Sequence, residues 1–94
     1  MNVISFDKRV TATPDTLINQ VGEESVLLNL GSEKYYGLDE IGTSMWLALT
    51  GNDSIQQAYD SLLNEYDVDE ETLRCDLSDL IEKLSANGLI EVVG

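Results

Sequence analysis

Histidine is absent from the 94 residues, cysteine and proline occur once each, and Lys and Arg together number only five. Each shortage closes off a class of function. Without His, the side chain that most often serves as a neutral-pH base and metal ligand is missing. A single Cys makes no internal disulfide, which excludes a small secreted scaffold held by such bonds. Five cations against 18 Asp and Glu leave a formal charge of −13. Binding a nucleic acid backbone or an anionic lipid surface needs a Lys/Arg patch, so neither is an expected partner. No apolar run approaches the ~20 residues of a membrane span. The stretch from Met1 to Arg9 lacks a signal peptide's order of basic start, apolar centre and small-residue cleavage site, so the cytoplasm is the expected compartment.

What is present suits one small core. Hydrophobic residues make up 43% of the chain, and 94 residues leave no room for a second core. The hydrophobic period changes near Asp39. Before it the pattern is strand-like. Leu17–Val21 and Ser25–Leu30 flank Gly22-Glu23-Glu24 and predict a hairpin. A turn at Gly31-Ser32-Glu33 leads to a third, short strand, Lys34–Leu38, at one edge of a three-stranded antiparallel meander. After Asp39 the pattern is helical. Asp39 caps a helix carrying Ile41, Met45, Ala48 and Leu49, which ends at Gly51-Asn52. Asp53 or Ser54 caps a second, whose stripe is Ile55, Ala58, Tyr59, Leu62, Leu63 and Tyr66. Asp69 or a neighbour caps a third, with Leu73, Leu77, Leu80, Ile81 and Leu84 on one side and Asn87-Gly88 as its stop. Leu89–Val93 forms an extended tail. The expected fold is α+β and winged helix-turn-helix-like: a three-stranded antiparallel sheet followed by three helices. Such folds often read DNA with one helix, but here that helix carries six acids and only Arg74 and Lys83 against them.

No catalytic or metal centre emerges. Asp60-Ser61-Leu62 matches the phosphopantetheine-bearing triplet of acyl carriers, and an acidic carrier modified at Ser61 is one alternative reading. Ser61, however, falls mid-helix on the polar side, and the strand-rich first third has no place in an all-helical carrier. Cys75 lies off the apolar stripe, with no His to activate it. Asp67, Asp69 and Glu71 alternate as in a calcium loop but lack its Gly and its distant bidentate Glu. A second alternative is a generic protein-interaction module. The most suggestive feature is the edge strand itself. It leaves a row of backbone N–H and C=O groups unpaired, and an extended peptide can add there as a further strand. The long apolar stripe of the third helix is a candidate second wall.

Tyr36-Gly37-Leu38-Asp39-Glu40-Ile41-Gly42-Thr43-Ser44-Met45-Trp46 resembles the Tyr-x-Leu-Asn/Asp-x-x-Gly-x-x-Ile/Met-Trp signature of the PqqD family. Gly51, Leu62, Tyr66, Asp76-Leu77, Leu80, Leu84 and Gly88-Leu89-Ile90 follow in the family's order, and Val26–Leu30 fits its second strand. The resemblance spans roughly residues 17–92. It leaves residues 1–13 as an extended or flexible N-terminal segment of a single domain, 1–94.

The resemblance implies a non-catalytic recognition element that needs no cofactor or metal. Its partner would be the leader of a ribosomally synthesised precursor peptide, held for a modifying enzyme: a leader protease or cyclase, as in lasso peptide biosynthesis, or a radical SAM enzyme, as in PQQ biosynthesis. The family's leader adds antiparallel to the third strand, in the groove between that strand and the third helix. Carried over, the peptide-binding positions are Lys34, Tyr35, Tyr36 and Gly37 on the strand, and Arg74, Leu77, Ser78, Leu80 and Ile81 on the helix. Lys34 and Arg74 would pair with leader acids. An open edge also permits pairing of two copies, so a homodimer is a further expectation.

Overall fold

The computed structural model describes residues 5–94. Among the described residues five strands form two antiparallel sheets, and three helices pack with them around one hydrophobic cluster. Strands β2 (Thr16–Val21), β3 (Glu24–Asn29) and β4 (Lys34–Leu38) form the meander, in that spatial order. Val21 pairs with Glu24, which leaves a two-residue turn, and Gly22 takes φ 63° at its first position. Only a residue without a Cβ adopts that conformation readily. One face of the sheet carries Ser25, Leu27, Asn29, Tyr36 and Leu38 toward the core. The other carries Leu17, Val21, Val26 and Tyr35 toward solvent.

The helices start where the sequence supplies capping side chains. In α1 (Glu40–Gly51) the Asp39 carboxylate accepts from the Gly42 N–H at 2.7 Å. A Cβ on Gly42 would lie 3.2 Å from both that carboxylate and the Leu38 side chain, so a larger residue there would have to displace one of them slightly. Ser54 caps α2 (Ile55–Glu65), and Asp69 caps α3 (Glu70–Ala86). Gly88, with φ 71°, lets the chain leave α3, and buried Leu89 follows it into the core.

From Ser5 onward the N-terminal segment is tied into the fold. Strand β1 (Arg9–Ala12) pairs antiparallel with β5 (Ile90–Val93), from Arg9 opposite Val93 to Ala12 opposite Ile90. The sequence had suggested extended pieces at both ends but not that they meet. Phe6 and Val10 are buried in the common core. The Ile55 and Gln56 N–H groups donate to the Lys8 and Phe6 carbonyls, both at 2.7 Å. These are first-turn amides of α2 that have no partner within the helix. Residues 1–4 of the expected N-terminal segment lie outside the described residues. No helix of the described residues is long and apolar enough to cross a membrane.

Candidate functional site

The meander has two outer strands, and they differ. Among the described residues neither β2 nor β4 has a strand on its outer side. Residues 17–21 of β2 are exposed throughout, on both faces. Strand β4 instead faces a groove of about 380 Å³. Tyr36 lines it from β4, Ile41 and Met45 from α1, and Asp76, Asp79, Leu80 and Lys83 from α3. Its apolar parts are thus contributed by three elements, and its rim carries charge. Asp39, Asp76 and Asp79 stand there against Lys83 alone, so the rim is acidic on balance.

Asn29 holds the two walls in register. Its side-chain Oδ1 accepts from the Gly31 and Ser32 N–H groups at 2.9 and 3.1 Å, which shapes the turn into β4. Its Nδ2 donates to the Gly88 carbonyl at 2.7 Å, directly after α3. Thr13 and Thr16 hydroxyls donate to the Gly88 and Leu89 carbonyls, at 2.8 and 3.0 Å, and tie the start of β2 to the same corner. At the other end of β4, Ser25 and Thr43 hydroxyls bond at 2.7 Å in the buried junction with α1.

The nine residues singled out from the sequence fall in different places. Tyr36 and Leu80 line the groove. Lys34 is exposed at the start of β4. Tyr35 and Gly37 lie on β4 but on its opposite, solvent-facing side, with Tyr35 77% exposed. Leu77 and Ile81 are completely buried and belong to the core beneath α3. Arg74 lies about 180° round the helix from Lys83, and Ser78 about 160° from Asp76. Neither is in the groove lining. The Arg74 guanidinium sits 4.6 Å from the Phe6 ring centre and 5.0 Å from that of Tyr59. Its partners are aromatic rings on the far flank, and Lys83 is the cation of α3 that reaches the groove. The α3 groove residues not foreseen, Asp76, Asp79 and Lys83, had a legible spacing: with Leu80 they follow i, i+3, i+4, i+7, one step round from the core stripe.

Ser61 is exposed in the middle of α2, not at a helix start as in a carrier, and the fold is not all-helical. Cys75 is free and exposed. Among the described residues no three acidic or sulfur side chains are grouped to hold a metal ion.

Residues 24–90 match the family described as Coenzyme PQQ synthesis protein D (PqqD). The chain belongs to the PqqD family. The match begins at β3 and ends at the start of β5, so it takes in β4, all three helices and every wall of the groove. Two solved structures share the PqqD-like fold. TbiB1, in complex with the TbiA(β) leader peptide, is 30% identical, with a TM-score of 0.79; the match covers 85% of this chain and 93% of that one. A lasso peptide synthetase B1 complexed with the leader peptide is 23% identical, with a TM-score of 0.78, covering 88% of this chain and 98% of that one. Curated proteins give no match.

Proposed function

We propose that this PqqD-family chain is a non-catalytic recognition element that binds the leader of a ribosomally synthesised precursor peptide and presents it to a modifying enzyme. The observation that carries this reading is the unpaired outer edge of β4 facing a partly apolar groove. The leader adds antiparallel to β4 and gains backbone hydrogen bonds that tolerate many sequences. Alternate leader side chains enter the groove over Tyr36, Met45 and Leu80 and supply selectivity. Five residues of β4 accommodate a leader segment of about five residues, or roughly 17 Å. Both solved relatives hold leader peptides, which supports the reading.

The acidic rim alters the charge expected of the leader. Lys34 and Lys83 remain able to meet leader acids, but Asp39, Asp76 and Asp79 favour basic side chains along the α3 wall. The protein works by raising the concentration of substrate beside a partner enzyme, so no catalytic group of its own is required. We favour a leader protease or cyclase of a lasso-type pathway as that partner, over a radical SAM enzyme. A ribosomally made precursor is met in the cytoplasm, where this reading places the protein. Two copies pairing edge to edge would use β2, because leader addition occupies β4.

Fluorescence polarisation with the labelled leader of the precursor encoded beside this gene tests the proposal. Saturable binding is expected. Ile41 lines the groove yet is 50% exposed, so Ile41→Asp keeps the fold while placing a charge in the apolar wall. It is expected to weaken binding about tenfold or more, equivalent to ~1.4 kcal/mol. Absence of binding at tens of micromolar to any adjacent leader contradicts the proposal.

A further inference from the structure

The groove engages one face of β4, and the other face carries a second concavity. The register aligns Asn19, Val26 and Gly37 in one row across the three strands, on the side turned away from the helices. A Cβ placed on Gly37 would meet nothing within 4 Å, so the glycine leaves an open space on that face. Around it lies a notch of about 320 Å³ whose lining includes Asn19, Val21, Val26, Gly37, Leu38 and Asp39. Val21 and Val26 present its apolar floor, 69% and 43% exposed. Neither the core nor the groove accounts for this bare apolar surface beside an open strand edge.

Strand geometry determines what reaches the notch. In an antiparallel pair, residues directly opposite one another project to the same face, and successive residues alternate. A leader residue opposite Tyr36 therefore projects into the groove. The next residue, opposite Gly37, projects onto the outer face, over the notch. A large side chain beside a strand glycine covers the exposed backbone and packs where the missing side chain would have been.

We infer that the notch at Gly37 is a second specificity subsite, taking an aromatic or large aliphatic leader side chain over the bare Gly37 backbone and onto Val26 beyond it. The inference rests on strand addition at β4 as proposed above. A leader held by the groove alone needs apolar residues only at alternate positions. A leader that also fills the notch needs one more, directly adjacent in sequence to a groove-filling residue.

The test is a double-mutant cycle with the labelled leader of the precursor encoded beside this gene, scanned with alanine. Gly37 is not among the residues with positive φ, and its Cβ space is free, so Gly37→Val is compatible with the strand. In the wild type, one leader position adjacent to a groove-binding position is expected to lose about tenfold on replacement by Ala. With Gly37→Val, the unaltered leader is expected to bind about tenfold more weakly, and the same Ala replacement then to cost less than about twofold. Gly37→Ala, which intrudes less, is expected to give an intermediate loss, with circular dichroism confirming that both variants fold. If the wild type binds and Ile41→Asp weakens binding while Gly37→Val changes nothing, the notch is not a subsite, although the groove stands. If the wild type binds no leader, strand addition fails and the notch fails with it.

Discussion

Asn29 is 9% exposed and makes three side-chain hydrogen bonds, two into the turn before β4 and one to the backbone after α3. Removing the amide leaves the Gly88 carbonyl to the Thr13 hydroxyl and the Gly31 and Ser32 N–H groups to find other partners. Asn29→Ala is expected to cost about 2–3 kcal/mol in urea unfolding. It is also expected to weaken leader binding beyond the loss of stability, because both groove walls depend on this corner. Arg74 provides the opposite case. Its guanidinium lies over Phe6 and Tyr59, whose rings meet edge to face with centres 5.7 Å apart. Arg74→Ala is expected to lower stability by about 0.5–1 kcal/mol, the range for an exposed cation–π contact, and to leave leader affinity unchanged. A large affinity loss in the folded variant would return Arg74 to the binding surface, as the family resemblance implies.

The helices and the central hairpin were legible because their signals are local. Asp39, Ser54 and Asp69 each accept the capping hydrogen bond within their own turn, and Gly22 marks the hairpin at the residue that needs positive φ. The edge position of β4 also followed from the order of strand-like runs. The β1–β5 pairing was not legible. Each strand has four residues, and their partners lie at opposite ends of the chain, so no local pattern announces that they meet. The ring contacts of Arg74 were illegible for the same reason: one of its partners, Phe6, comes from that distant segment. On α3 the core stripe and the groove stripe share Leu80, so hydrophobicity alone does not separate the residues beneath the helix from those beside it. Val10, 2% exposed, anchors β1 in the core. Val10→Asp is expected to destabilise the fold by about 3 kcal/mol or more, read as a lower thermal midpoint. A neutral result would show that β1 is dispensable.

A charge of −13 gains a specific meaning once it is set on the fold. Such a charge opposes contact with a nucleic acid backbone, and self-repulsion opposes aggregation through the two open edges of the meander. Three of the acids, Asp39, Asp76 and Asp79, stand at the groove rim, where the proposed reading has them select the leader by charge as well as by shape. On the proposed reading, β4 is completed by a guest strand. Amide hydrogen exchange, followed by NMR with and without saturating leader, measures this directly. The account predicts slowed exchange within residues 34–38 of β4, accompanied by shifts along 76–83 of α3, with the outer edge of β2 unchanged. Saturable binding that leaves 34–38 exchanging as in the free protein, or that protects 16–21 instead, would contradict it.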